Sequence, residues 1–328
     1  MEELKHELEK LAKTYVDTPE KEEKILIPFI KRLLELPMKE RRKVIPTIGE
    51  LQYERGEGWM TCCDPARRRF LAAIEFISAN KREMTMAYEI DFELLCKLLQ
   101  LYRPTWLSDF INGDHSFYSF NLNYQELMQL VDLGYIKELS PKLLGQMVPW
   151  QIRIRSSNSK EEETFDSSPL LKREITLKEH IWYVFEYESN LGYLDDCAKR
   201  AYKEGITVQD ESFSAILYRF SLDGHLDRNR LLRATLSTFN RSFKKDMVNW
   251  FAGLFEELQP RAEELISLQE EIMQVFTSPY TKPVNVMLQQ LKKIASRRRV
   301  PLSGVYRACD YSFLFQPQKL TAYYLFHF

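Results

Sequence analysis

The sequence predicts an all-α protein: an α-solenoid of stacked antiparallel helix pairs that ends in an irregular C-terminal tail. Three observations carry this. Apolar residues recur every three or four positions along most of the chain; Phe243, Met247, Trp250, Leu254 and Leu258 make the clearest stripe, with Phe251 and Phe255 widening it. The stripes are joined by only a few residues each, which makes consecutive helices near-antiparallel neighbours. From residue 177 onward, predicted helix pairs recur at about 33 to 35 residues, the size of a helical-repeat unit. Neither the tetratricopeptide nor the ankyrin signature is present, and the copies share size and shape more than sequence.

Taken in order, the chain opens with a predicted helix over 3–16, with Leu4, Leu8, Leu11 and Tyr15 on one side. A second helix follows Thr18-Pro19 and carries Phe29, Leu33 and Leu36; Pro28 must kink it or mark its start, because proline removes a ladder donor. Pro37 and Pro46 read as first-turn prolines of short helices. Residues 55–64 read as a surface loop containing Trp59 and Cys62-Cys63. Pro65 opens a helix through Phe70, Ile74 and Ile77; Phe92, Leu95, Leu98 and Leu99 mark the next. A turn is expected at 112–115, a capping box at Asn123 and Glu126, and a further helix after Ser140-Pro141.

Residues 151–175 are polar and serine-rich without a sustained period, and read as a linker or long loop. Beyond it, Thr176 with Glu179 reads as a capping box for a helix through Trp182 and Phe185. A helix over 193–203 stops at Gly205, and Asp210 is placed to cap one carrying Phe213, Ile216, Leu217 and Phe220. Asp227 caps a helix with Leu232, Leu236 and Phe239, and Pro260 opens one with Leu265, Leu268, Ile272 and Phe276. The tail 300–328 is aromatic and β-branched, with no polar capping face, as if an array were cut short or an unrelated tail added. The expected organisation is an N-terminal helical array over 1–150, the linker, a C-terminal helical-repeat array over 176–299, and the tail.

The Gly224–Leu232 segment (G-x-LDR-x-x-LL), Asn240-Arg241, Trp250-Phe251 and the Leu258-Gln259-Pro260 step resemble the C-terminal helical part of a large bacterial family with no assigned function and HEAT-like repeats. The resemblance covers 210–295. It implies an α-solenoid, and because related genomes place such proteins beside SWIM-type zinc-finger proteins and AAA-type ATPases, it implies an assembly partner. The family has no established catalytic residues to carry over.

Composition narrows the function classes. A net charge of −1 gives no global attraction to nucleic acid or an anionic membrane. No apolar run approaches the length of a membrane span, and the charged N-terminus lacks a secretory h-region. Five cysteines, an odd number in a long chain, fit a reducing cytoplasm better than a disulfide framework. The 11 glycines leave little material for phosphate-cradling loops.

Candidate chemistry is sparse. Cys62-Cys63, Cys96 and His115 lack the spacing of a structural zinc site, and Cys96 sits on an apolar stripe. His225 lies between Asp223 and Asp227, but Asp223-Gly224 reads as a turn and Asp227 as a cap. No catalytic residue, cofactor or metal is therefore expected. Between Ile272 and Cys309 lie seven Lys or Arg and no acid. Lys292, Lys293, Arg297, Arg298 and Arg299 cluster there, and Arg228, Arg230 and Arg233 share one early helical turn. These cations and Trp59 are the candidate interaction residues. The expected function is a non-enzymatic, cytoplasmic scaffold binding a protein partner on its concave face. The alternative is nucleic-acid binding through the basic 292–299 end.

Overall fold

The computed structural model describes residues 2–55, 60–113, 120–155, 163–205 and 212–295. The protein is all-α. Among the described residues the extended structure consists of two short antiparallel ladders, Tyr53–Arg55 with Met60–Cys62 and Arg153–Arg155 with Glu163–Phe165. The second ladder lies inside the stretch read from sequence as a linker. The chain divides into two compact units, Met1–Ser140 and Pro141–Phe328.

In the first unit the helix Glu2–Thr14 is followed by Pro19–Lys21, capped by the Thr18 hydroxyl, which accepts from the Lys21 N–H at 3.2 Å. That helix widens into a π turn over Glu22–Leu26 before Ile27–Leu34 begins. Pro28 lies in the first turn of this new segment. It has no N–H for the carbonyl four residues back, and the ladder shifts register just upstream, where Ile27 N–H donates to the Glu22 carbonyl.

The unit is organised on the helix Pro65–Ser78, started by the Asp64 carboxylate accepting from Arg67 N–H at 3.0 Å. Every residue from Phe70 to Ser78 is buried, as expected of a helix wrapped on all sides. The helices Glu2–Thr14, Ile27–Leu34, Ile45–Leu51 and Phe92–Leu101 all pack on it. Glu75, buried in its middle, accepts from Thr85 N–H at 3.0 Å, Thr85 Oγ1 at 2.7 Å and Met86 N–H at 2.8 Å. Burial pushes its carboxyl above the ordinary glutamate value. The capping box at Asn123 and Glu126 forms as the sequence predicts.

In the second unit Pro141–Trp150 lies against the turn His180–Phe185. Gly145 permits the approach: a Cβ there would stand 2.6 Å from the Tyr183 carbonyl oxygen. The helices Leu191–Lys203, Phe213–Leu222, Arg228–Ser237, Lys245–Glu257, Ala262–Ser267, Gln269–Val275 and Thr281–Ala295 follow. Contacts run along the chain. Arg228–Ser237 touches Phe213–Leu222, Lys245–Glu257 and Gln269–Val275, and Lys245–Glu257 touches Thr281–Ala295. Polar bonds repeat the interval: Arg228 to Glu264 spans 36 residues, Arg233 to the Ser267 carbonyl 34, Asn240 to the Gln274 carbonyl 34 and Lys282 to the Asn249 carbonyl 33. Phe251, fully buried, joins the core through Phe185 at 5.3 Å and Trp250 at 5.0 Å between ring centres.

Asp210, expected to cap the helix with Phe213, lies outside the described residues, and Ser212 caps Phe213–Leu222, its hydroxyl accepting from Ala215 N–H at 3.3 Å. Two further local expectations fail here. Thr176 does not cap; it is buried inside the helix Glu174–Lys178, and 180–185 is a 3-10 segment entered at Glu179 with φ −131° and ψ −60°. Nor does Pro260 open its helix. Gln259 is left-handed at φ 45°, the helix starts at Ala262 after Arg261, and a break at Leu268 divides it in two. Arg261 N–H donates to the Glu264 carboxylate at 2.7 Å, which fixes the later start.

Candidate functional site

The site begins with Asp227, whose carboxylate accepts from Arg230 N–H at 2.6 Å and starts the helix Arg228–Ser237. Helical geometry then separates the three arginines of the first turns. Residues three apart share a face, so Arg230 and Arg233 look one way and Arg228 another.

Arg228 is turned into the fold. It reaches the Glu264 carboxylate at 2.6 and 3.2 Å, the Leu258 carbonyl at 2.7 Å and the Ser221 hydroxyl at 3.2 Å. It thereby satisfies a carbonyl at the end of the helix Lys245–Glu257. Burial raises the Glu264 carboxyl, but the bonds from Arg228 and Arg261 outweigh it and hold the group below the ordinary value.

Arg230 and Arg233 border an open cleft of about 690 Å³ between this helix and the turn His180–Phe185. Trp182 and Phe185 form its floor. The Arg230 guanidinium lies over the Trp182 ring, 4.0 Å from the centroid, and donates to the Lys178 carbonyl at 3.5 Å. Arg233 is ion-paired with Glu271 and bonded to Asn229 Oδ1 at 3.3 Å. Arg241, on the turn that follows the helix, supplies a third guanidinium to the lining and is exposed. Glu186 and Asp227 are the carboxylates of the lining. The Ser237 hydroxyl donates to the Ala234 carbonyl at 2.7 Å. Guanidinium forks beside aromatic side chains suit recognition of anionic groups.

The remaining sequence candidates divide. Lys292 is exposed near the end of Thr281–Ala295; the Lys293 side chain, Trp59, His115 and Arg297, Arg298 and Arg299 lie outside the described residues. Cys62 is exposed, Cys63 buried and Cys96 half-buried, and burial pushes the Cys96 thiol up. Among the described residues no group of three or more His, Cys, Asp or Glu could hold a metal ion. Gly224 takes the turn conformation at φ +78°, and His225 packs on Phe220 at 5.2 Å. Among the described residues no helix is long and apolar enough to cross a membrane.

Sequence reasoning did not single out a charge cluster in the first unit. Buried Glu22 lies 2.6 Å from Lys97 Nζ, which also reaches Glu93 at 2.8 Å. Hydrogen bonding to Glu22 and then Glu93 raises the lysine. Arg69 pairs with Asp91 and lies 3.4 Å from Asp17. Burial, then Asp17 and Glu22, push the Tyr15 hydroxyl up to about 12. The cations and carboxylates answer one another, and the cluster ties 17–22 to the helices at 69 and 97.

No curated protein and no solved structure matches the chain. The family model described as a domain of unknown function, DUF6493, matches residues 2–302, and the chain belongs to that family.

Proposed function

We propose that the chain is a non-enzymatic, cytoplasmic scaffold, built in its second unit as a HEAT-like stack of helix pairs, and that it binds a protein partner. The carrying observation is the open cleft of about 690 Å³ between His180–Phe185 and Arg228–Ser237. Its aromatic floor and guanidinium border have the composition of a recognition surface. The contacts spanning 33 to 36 residues support the stack, because they join helices two or three places apart at a near-constant interval.

The test is recovery of a partner by native purification of the full chain, then titration of the re-purified partner by calorimetry. Saturable binding is expected to the wild type and to be lost in Ser237→Trp, whose indole fills the cleft from an exposed position, with the circular dichroism spectrum unchanged. Equal binding to wild type and Ser237→Trp would overturn this placement. Recovery of nucleic acid and no protein would overturn the scaffold reading.

A further inference from the structure

The cleft's charges point to the chemistry of its occupant, an inference that rests on the scaffold reading above. We infer that the occupant is an acidic peptide segment, its side-chain carboxylates held by Arg230 and Arg241.

The three guanidinia are not equivalent. Arg233 is already answered by Glu271. Neither Arg230 nor Arg241 forms an ion pair among the described residues, and both are exposed. The Trp182 ring beneath Arg230 holds its plane in place while leaving the fork's outer edge open. Asp227, the nearest carboxylate in sequence, accepts from the Arg230 backbone N–H as the helix cap. The cleft therefore presents one fork held over an aromatic ring and a second, exposed one, both able to meet carboxylates in bidentate geometry.

The same details select a peptide over a nucleic acid. Single-stranded nucleic acid needs open aromatic faces for its bases, and Arg230 covers the Trp182 ring. Glu186 stands in the lining and opposes a uniform line of phosphates. It accommodates a chain in which carboxylates alternate with neutral residues. Asn229 and Ser237 add polar groups for that chain's backbone.

The test is fluorescence anisotropy with a labelled peptide of alternating glutamate and glycine, titrated with the full-length chain at low salt. The expected result is saturable binding that weakens as salt rises. Arg241→Glu should weaken it by about tenfold, the loss of one charge-assisted contact. Arg241→Lys should retain part of the affinity. Lys10→Glu, an exposed cation in the other unit, should leave it unchanged. Absence of saturable binding would overturn the inference, as would equal weakening by Lys10→Glu and Arg241→Glu. So would tighter binding of a single-stranded oligonucleotide of equal charge with the same dependence on Arg241. Failure here is separable from failure of the scaffold reading, because the Ser237→Trp titration uses the recovered partner and not the acidic probe.

Discussion

In the Met1–Ser140 unit, Glu2–Thr14, Ile27–Leu34, Ile45–Leu51 and Phe92–Leu101 press on Pro65–Ser78; in the Pro141–Phe328 unit, Leu191–Lys203, Phe213–Leu222, Arg228–Ser237 and Thr281–Ala295 press on Lys245–Glu257, and polar bonds at an interval of 33 to 36 residues accompany them. Each core closes over polar groups that find partners inside: Glu75 and Glu22 in the first unit, Asp195 in the second. The second unit also leaves an open cleft between Arg228–Ser237 and His180–Phe185. There Arg230 and Arg241 form no ion pair among the described residues.

The largest expected effect breaks the first unit. Phe70 is fully buried against Tyr15 at 4.9 Å and Phe29 at 6.3 Å between ring centres. Phe70→Ala should cost about 3–5 kcal/mol. Hydrogen exchange should rise across 2–113 together, with the helices of 213–295 keeping their protection. Loss confined to the two turns around Phe70 would show that this unit is not held by one core.

A smaller effect sharpens the distinction between arginines. Arg228→Met removes the partner of Glu264 and of the Leu258 carbonyl and should cost about 1–3 kcal/mol in denaturant unfolding. Its effect on affinity for the acidic probe should be slight. Arg241→Glu should show the reverse: weak effect on unfolding, strong effect on binding. If both variants changed stability alike, the division between a structural and a recognition arginine would fall.

The smallest effect concerns pH. Asp195 is buried and accepts from Phe213 N–H at 2.6 Å and Trp250 Nε1 at 2.8 Å. Burial pushes its carboxyl above the ordinary aspartate value, against those bonds. A carboxyl raised on folding binds its proton more tightly in the native state. Its contribution is then fully present below the unfolded value and is lost as pH rises through the folded one. The margin of wild type over Asp195→Asn should therefore be widest in acid and narrow as pH rises through that window, read from denaturant melts at a series of pH values. A margin that widened with pH would contradict the assignment.

What was legible in the sequence was local. The caps at Asn123 and Asp227 depend on residues three apart and form as written, and the same spacing accounts for the caps at Asp64 and Asp91, which sequence reasoning passed over. The stripe from Phe243 to Leu258 forms too, although Trp250 stays half-buried so that its indole can reach Asp195. The helix Pro65–Ser78 showed one stripe, Phe70, Ile74 and Ile77; burial of Ala72, Ala73 and Glu75 comes from helices remote in sequence, which no local period records. The cleft was half legible. Arg230 and Arg233 stood out as a cationic turn, but Trp182 meets Arg230 only because the fold brings residues about 50 apart together, as the 52-residue bond from Arg230 to Lys178 measures. Arg241 follows a short 3-10 turn and carries no spacing signal of its own.

The most direct test of the central claim is hydrogen exchange of the full chain with and without its re-purified partner. Binding in the cleft predicts slowed exchange over 180–186 and 228–241, with 65–78 unchanged. Protection confined to 281–295, or to the first unit, would contradict it.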